Sequence, residues 1–290
     1  MNKLALATLL AAVAACQPDT KNLERKVDQI AQDQRKIMEL INQRGVGGAA
    51  AQPARPARPE PARDKTYSVP VDNDPFDGPA DAKVTLVKAY DYACPYCEKV
   101  RPTMAELHKK YGNDLRVVYK QLVVHPRNAM AAALAFCAAS RQGKHKDMDR
   151  LIWDKGFNVR QMDNSDVAPA EGGGQPQKCW DTPDGCKNVV SYAQELQLDI
   201  PKFKADMKDC QGVVNADQKH LQALMVAATP AFFVNGRYIS GAMPAENFMS
   251  VIDEELKKAN EKIAQGTPQA KYYQTWVVEK GLKSVEPPKQ

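Results

Sequence analysis

The chain has 290 residues, with 40 Lys or Arg against 35 Asp or Glu and a formal net charge of +5. With 43% hydrophobic and 26% charged residues, this composition excludes a wholly disordered chain and a multi-span membrane protein. The mild positive charge does not indicate a nucleic-acid partner. The 7 cysteines are an odd number, so at least one thiol has no partner within the chain.

The N-terminus has the features of a cleaved export signal over residues 1–15. Lys3 supplies a basic start, an apolar run too short to span a bilayer follows, and small residues precede Cys16. The segment Val13-Ala14-Ala15-Cys16 resembles a bacterial lipobox, which implies that Cys16 becomes a lipidated N-terminus. An ordinary secretory signal is the alternative. Either interpretation predicts a bacterial periplasmic location in which disulfides persist. Lipidation adds a membrane anchor, and Gln17 favours the outer membrane by resemblance.

Residues 16–44 are expected to carry the lipid anchor and a coiled-coil helix. Apolar residues recur at alternating steps of four and three, with one polar position in the seam: Leu23, Val27, Ile30, Gln34, Ile37 and Ile41. β-branched residues in this seam favour a homo-oligomer, with a trimer ahead of a dimer. A helix that docks on its own domain is the alternative. Residues 45–66, rich in Ala, Pro and Arg, predict an extended linker.

The first chemical motif lies in the domain predicted for residues 67–290. The segment Val84–Tyr90 is typical of a buried strand, and it runs into Asp91-Tyr92-Ala93-Cys94-Pro95-Tyr96-Cys97 and a helical pattern from Glu98 to Tyr111. Cys94 therefore lies where a strand gives way to a helix, and a helix N-terminus stabilises a thiolate. The histidines are scattered without ligand spacing, so we expect neither a metal site nor a cofactor.

A second motif, Thr229-Pro230, precedes the strand-like run 231–235. Together with the opening Asp74-Pro75-Phe76-Asp77-Gly78 and the cysteine motif, it resembles the DsbA-like thiol:disulfide interchange proteins. The resemblance covers roughly residues 74–282. It implies an α/β thioredoxin fold with a helical insertion at about 129–212. It also implies that Pro230 is cis against the Cys94 sulfur, and that Pro95, Tyr96, Thr229 and Pro230 contact an extended substrate peptide.

Two features depart from that family. Lys88 stands where many relatives have a buried acid that relays protons, and its charge is expected either to lower the Cys94 pKa or to reach the surface. A polar loop at about 158–187 carries Cys179 and Cys186, which we expect to form a structural disulfide rather than a second redox centre.

The remaining cysteines complete the assignment. Cys137 lies in an alanine-rich helix and Cys210 at the end of another, in positions where relatives often show cysteines. They are expected to pair, with buried free thiols as the alternative. One exposed, nucleophilic thiol is then expected at Cys94, with Cys97 as its partner.

The expected function is envelope thiol:disulfide exchange, as a disulfide isomerase or general oxidoreductase. Tyr96 replaces the histidine of strongly oxidising relatives, and Thr229 resembles the isomerase and reductase branches. The expected partners are unfolded or misfolded exported proteins with cysteines and a membrane redox partner. A dedicated DsbA-type dithiol oxidase and a redox-inactive, membrane-tethered peptide-binding adaptor are the alternatives. A copper carrier is disfavoured because no methionine or histidine cluster lies near Cys97.

Overall fold

The structure, a computed structural model, describes residues 20–45, 59–71, 74–168 and 175–285. The chain divides into two compact units, residues 1–58 and residues 59–290. The predicted signal peptide, the predicted lipidation site Cys16 and most of the predicted linker lie outside the described residues. The lipid anchor therefore stays a prediction.

The described part of the first unit is one helix, α1 (Thr20–Gly45). Its apolar side chains Val27, Ile30 and Ile37 are 56 to 59% exposed. The helix coincides with the predicted stalk, while its assembly into a coiled coil stays a prediction. Across the described residues of the whole chain, no helix is both long enough and apolar enough to cross a membrane.

The second unit is built around a mixed sheet. Its strands are β1 (Phe76–Asp77), β2 (Val84–Tyr90), β3 (Leu115–Gln121), β4 (Asp166–Val167), β5 (Gln177–Lys178), β6 (Ala231–Val234) and β7 (Arg237–Ser240). Five of them pair in the order β1-β3-β2-β6-β7, and β4 pairs with β5 separately. Only β2 and β3 run parallel in the larger sheet. The central β2 is buried at every position, which explains its near-continuous apolar sequence.

The described residues of this unit form seven α-helices. They are α2 (Pro95–Lys99), α3 (Arg101–Tyr111), α4 (Pro126–Ser140), α5 (His145–Leu151), α6 (Lys187–Glu195), α7 (Ile200–Ala223) and α8 (Ala245–Ala264). The helical pattern predicted from Glu98 to Tyr111 is interrupted at Val100, which separates α2 from α3. Pro102 has no N–H to donate to the carbonyl four residues earlier, which accounts for the break.

The helical insertion lies between β3 and β6, from Pro126 to Ala223, and is longer at both ends than the predicted 129–212. Its helix α4 is buried almost throughout from Ala129 to Ala139, because alanine side chains allow neighbouring helices to approach closely. A disulfide joins Cys137 of α4 to Cys210 of α7. Cys210 lies in the middle of α7, not at a helix end as predicted.

Candidate active site

Cys94 lies at the junction of β2 and α2. It is the N-cap of α2, with extended backbone angles, and its N–H donates to the Asp91 carbonyl at 3.1 Å. Its own carbonyl accepts the N–H of Cys97 at 3.0 Å. Pro95 is the first residue of the helix, where its missing N–H costs no helical hydrogen bond. The local sequence therefore places the Cys94 sulfur at the positive end of a helix.

The second motif meets the first in space. The peptide bond between Thr229 and Pro230 is cis, and the Cys94 Sγ atom lies 3.3 Å from the Thr229 carbonyl oxygen. Pro230 is immediately followed by β6, whose first residue Ala231 pairs with Ala89 of β2. This pairing between sheet neighbours brings together two segments that are 135 residues apart.

The two free thiols of the described chain have opposite protonation behaviour. A hydrogen bond from Cys97 is the largest cause that lowers the pKa of Cys94, to about 5, and the backbone N–H groups of Cys97 and Tyr96 lower it further. Burial raises the pKa of Cys97 well above its usual range. Cys94 is therefore a thiolate at neutral pH while Cys97 keeps its proton, which is the division needed for one nucleophile and one resolving thiol.

The prediction of an exposed Cys94 was wrong. Cys94 is only 5% exposed and Cys97 is completely buried. The Thr229-Pro230 segment lies directly over Cys94, so accessibility is set by a segment remote in sequence. Tyr96, which stands between the cysteines, is 62% exposed. The predicted substrate contacts of Pro95, Tyr96, Thr229 and Pro230 stay predictions.

Asp91 is a residue of this site to which the sequence analysis gave no role. Its carboxylate is completely buried and accepts N–H groups from Ala93 at 2.6 Å, Val124 at 2.6 Å and His125 at 2.8 Å. The first bond shapes the loop before Cys94, and the other two join it to the segment after β3. The sequence could have indicated this role, because Asp91 stands inside an otherwise apolar segment. A buried carboxylate is stable only when several hydrogen-bond donors surround it.

Lys88 does not reach the surface, so one of the two predictions made for it was wrong. It is 3% exposed, and its amine lies over the Tyr90 ring at 4.5 Å and the Tyr119 ring at 5.5 Å. Among the described carboxylates none lies within ion-pair distance of it. Burial lowers the pKa of Lys88, opposed chiefly by the negative charge of Asp149. The predicted effect of the Lys88 charge on the Cys94 pKa stays a prediction.

A buried hydrogen-bonded chain runs beside Lys88. Gln121 donates to the Tyr90 hydroxyl at 2.6 Å, that hydroxyl donates to Tyr92 at 3.1 Å, and Tyr92 donates to Asp149 at 2.8 Å. Burial raises the pKa of both tyrosines far above the usual range. They are therefore neutral donors that link the active-site strand to α5 of the insertion.

The other four cysteines among the described residues are paired. Cys179 and Cys186 form a disulfide within the loop, with sequence separation 7, and Cys137 and Cys210 form one with separation 73. The described residues contain no cluster of three His, Cys, Asp or Glu side chains able to hold a metal ion.

Fold and site together define a class of protein. A thioredoxin fold with a Cys-x-x-Cys pair at a helix N-terminus, beside a cis-proline, is the arrangement of thiol–disulfide oxidoreductases. The chain belongs to the thioredoxin family, whose family model, described as Thioredoxin, matches residues 71–254. The predicted α/β thioredoxin fold with a helical insertion is confirmed.

Solved structures share this fold at low sequence identity. BdbD from Bacillus subtilis, in its oxidised form, has a TM-score of 0.52 and 20% identity, and the match covers 69% of this chain and 100% of BdbD. The α-DsbA1 of Wolbachia pipientis has a TM-score of 0.51 and 17% identity, and the match covers 67% of this chain and 96% of that protein. The predicted resemblance to the DsbA-like proteins is thereby confirmed at the level of the fold.

Similar curated proteins are much longer. The Na⁺/H⁺ antiporter NhaA of Herminiimonas arsenicoxydans is 29% identical over 183 residues, and NhaA 1 of Salinispora arenicola is 31% identical over 211 residues. These matches cover 62% and 69% of this chain but only 25% and 28% of the antiporters. The chain therefore spans about a quarter of the length of these relatives, and the activity in their names is that of those proteins.

Proposed function

We propose that this chain is a thiol–disulfide oxidoreductase that acts on exported proteins, as a disulfide isomerase or general oxidoreductase. The observation that carries this proposal is the position of the Cys94 sulfur, at the start of α2 and 3.3 Å from the Thr229 carbonyl oxygen. Its pKa of about 5 makes it a nucleophile at neutral pH, and the adjacent backbone can pair with a peptide.

The exchange follows from the two thiols. The Cys94 thiolate attacks one sulfur of a substrate disulfide, which forms a Cys94–substrate bond and releases the second substrate sulfur as a thiolate. In isomerisation the released thiolate attacks another disulfide of the same substrate. A substrate thiolate finally attacks the Cys94–substrate disulfide and releases Cys94. In net reduction Cys97 loses its proton and attacks the Cys94 sulfur, so the substrate gains two electrons and the Cys94–Cys97 pair is oxidised. Oxidation of a substrate dithiol is the reverse of these steps.

A dedicated dithiol oxidase is the second candidate, and one observation favours it. The lowered Cys94 pKa stabilises the reduced enzyme, and stabilisation of the reduced form makes a disulfide a stronger oxidant. Redox titration against glutathione and refolding of scrambled ribonuclease distinguish the two. An isomerase restores scrambled ribonuclease, whereas an oxidase acts only on reduced ribonuclease.

The Cys94→Ser variant tests the nucleophile in both assays. Loss of both activities is expected, since serine is not ionised at neutral pH. A Cys94→Ser variant as active as the wild type contradicts the proposal, and a wild-type protein that binds unfolded chains without redox activity indicates an adaptor.

We further propose that α1 assembles copies of the chain, with a trimer favoured, and that Cys16 anchors them to a bacterial envelope membrane facing the periplasm. The exposed Val27, Ile30 and Ile37 support assembly because they leave an apolar stripe uncovered. A membrane redox partner would restore the working redox state of Cys94 and Cys97. Light scattering on residues 17–290 and on residues 59–290 tests the assembly, and a monomer in both overturns it.

A further inference from the structure

Ser165 connects two segments of the helical insertion that are remote in sequence. It is 1% exposed and immediately precedes β4. Its N–H donates to the Arg127 carbonyl at 2.8 Å, its hydroxyl donates to the Pro126 carbonyl at 2.9 Å, and its carbonyl accepts the Cys179 N–H at 3.0 Å. The backbone N–H, the backbone carbonyl and the hydroxyl of this residue are therefore all used to hold other parts of the chain.

The loop on one side of these contacts is closed covalently. Ser165 precedes β4 and Cys179 follows β5, and these two strands pair antiparallel. The Cys179–Cys186 disulfide closes the segment that comes next. Both of its cysteines belong to the buried cluster that also contains Cys94 and Cys97. We call the described residues 165–168 and 175–186 the Ser165 loop, which is thus anchored in the core around the reactive thiols.

The segment on the other side of these contacts holds Asp91. The N–H groups of Val124 and His125 donate to the Asp91 carboxylate at 2.6 and 2.8 Å, and the His125 Nδ1 atom lies 3.3 Å from the same carboxylate oxygen. The next two residues along the chain carry the carbonyls that Ser165 holds. The positions of the donors to Asp91 therefore depend on the contacts of Ser165.

Asp91 contacts both reactive cysteines through its backbone. Its carbonyl accepts the Cys94 N–H at 3.1 Å. Burial raises the pKa of Cys97, and a hydrogen bond from the Asp91 N–H opposes that effect. The Asp91 carboxylate also accepts the Ala93 N–H at 2.6 Å. A displacement of Asp91 would therefore change the hydrogen bonds around both thiols, and with them the protonation of each.

The residues along this path are shielded from water. Ser165 is 1% exposed, and Asp91 and Cys97 are completely buried. A buried polar group that loses its partner cannot turn to water instead, and leaving it unpaired is costly. The loss of one contact is therefore expected to move the neighbouring groups, so that a change at Ser165 reaches the loop before Cys94.

We propose that the Ser165 loop is a positioning element of the active site, which fixes the segment that holds Asp91 and so sets the reactivity of Cys94. The inference rests on the proposed function, because Cys94 is the nucleophile of that reaction. It makes Ser165 a positioning residue. It also gives the Cys179–Cys186 disulfide an effect on the reactive thiol, beyond the structural role expected from the sequence.

The first test compares two serine variants of the full chain. Ser165→Ala removes the hydroxyl that donates to the Pro126 carbonyl. Ser140→Ala is the matched control, because the Ser140 hydroxyl donates to the Cys137 carbonyl at 2.6 Å at the other end of α4. Mild reduction with dithiothreitol, which is then removed, opens the Cys94–Cys97 pair. Alkylation by iodoacetamide is followed on the peptide that contains Cys94 at several pH values, and urea unfolding gives the stability.

Ser165→Ala should raise the pH midpoint of the Cys94 thiolate above the wild-type value of about 5, because the groups that stabilise the thiolate are then held less firmly. Below that midpoint the alkylation rate should fall about 3- to 10-fold, as for one lost hydrogen bond. Ser140→Ala should keep the wild-type midpoint, although it also lowers stability.

The disulfides give a second test that does not involve Ser165. Cys179→Ala with Cys186→Ala opens the Ser165 loop, and Cys137→Ala with Cys210→Ala is the matched control. The control should lose more stability, because its disulfide closes the longer loop, and yet it should keep the Cys94 midpoint. The Cys179→Ala, Cys186→Ala variant should lose less stability and raise the midpoint, as Ser165→Ala does.

A wild-type Cys94 midpoint in either variant of the Ser165 loop overturns the proposal. An equal shift in such a variant and in its control also overturns it, since general loosening of the fold then accounts for the shift. Failure of the proposed function is a separate result. It is shown by a reduced wild-type chain that does not react with glutathione disulfide, a reaction that forms the Cys94–Cys97 disulfide and releases two glutathione thiols.

Discussion

The Cys94 Sγ atom lies 3.3 Å from the carbonyl oxygen of Thr229, in the cis peptide that precedes β6. This contact joins the nucleophile to the backbone that would hold a peptide. The same segment shields Cys94, which is 5% exposed, while the Cys97 thiol and the backbone N–H groups of α2 stabilise its thiolate.

The reduced protein should show one thiolate with a midpoint near pH 5. The pKa of Cys94 is lowered to about 5, with the Cys97 hydrogen bond as the largest cause. Cys97→Ala should therefore raise the Cys94 midpoint toward the ordinary value, although the helix N-terminus remains. The pH dependence of thiolate absorbance and of alkylation by iodoacetamide measures both midpoints. An unchanged midpoint in Cys97→Ala would show that the backbone alone stabilises the thiolate.

Asp91→Asn should destabilise the protein by about 3 kcal/mol, because one amide oxygen cannot replace a carboxylate that accepts three N–H groups. It should also change the alkylation rate of Cys94, since Asp91 shapes the loop before that residue. Urea unfolding and alkylation kinetics give the two readouts.

Asp163→Asn is the matched control. Asp163 accepts the N–H groups of Asn188 and Val189, both at 2.9 Å, at the start of α6. Its substitution should lower stability without altering Cys94. If both variants leave the Cys94 alkylation rate unchanged, Asp91 has a structural role alone.

At pH values below the lowered pKa of Lys88, the Lys88→Met variant should be more stable than the wild type by about 1 to 3 kcal/mol. The substitution removes a buried ammonium that lacks an ion pair. Burial lowers the folded-state pKa of Lys88, so the unfolded chain binds this proton more readily. Wild-type stability therefore rises with pH between the lowered pKa and 10.5, and the advantage of Lys88→Met should disappear over the same interval.

Lys120→Met should have the opposite effect. The Lys120 ammonium lies 2.6 Å from Asp74 and 2.8 Å from Asp217, so removing it leaves two buried carboxylates without their cation and should cost about 3 to 5 kcal/mol. Urea unfolding at several pH values measures both variants. A Lys88→Met protein less stable than the wild type throughout would show that the amine has a favourable partner.

The two structural disulfides should differ in their contribution to stability. Chain-entropy arguments give about 4 kcal/mol for the loop closed by Cys137–Cys210 and about 2 kcal/mol for the short Cys179–Cys186 loop. The double variants to alanine, Cys137→Ala with Cys210→Ala and Cys179→Ala with Cys186→Ala, should therefore lower the unfolding free energy in that order. Denaturant unfolding under identical redox conditions is the measurement. The reverse order would indicate that packing around the short loop outweighs chain entropy.

The local structure of the second unit, residues 59–290, could be predicted from its sequence. The apolar run at Val84–Tyr90 forms β2 with the predicted bounds, and Cys94 begins a helix whose first residue is Pro95. These predictions succeed because hydrophobic periodicity, proline geometry and cysteine spacing act over a few residues. The thioredoxin fold itself followed from motifs that lie far apart in the chain.

Only the tertiary structure determined the surroundings of individual side chains. The sequence placed Lys88 on a strand, yet only the tertiary structure shows that its amine is buried over the rings of Tyr90 and Tyr119. Likewise Thr229 covers Cys94, and Asp91 collects donors from two segments. Burial and hydrogen bonding depend on which distant residues come together, and the pKa of a side chain depends on both. The sequence could therefore identify Cys94 as the nucleophile, but it could not show that Cys94 is shielded.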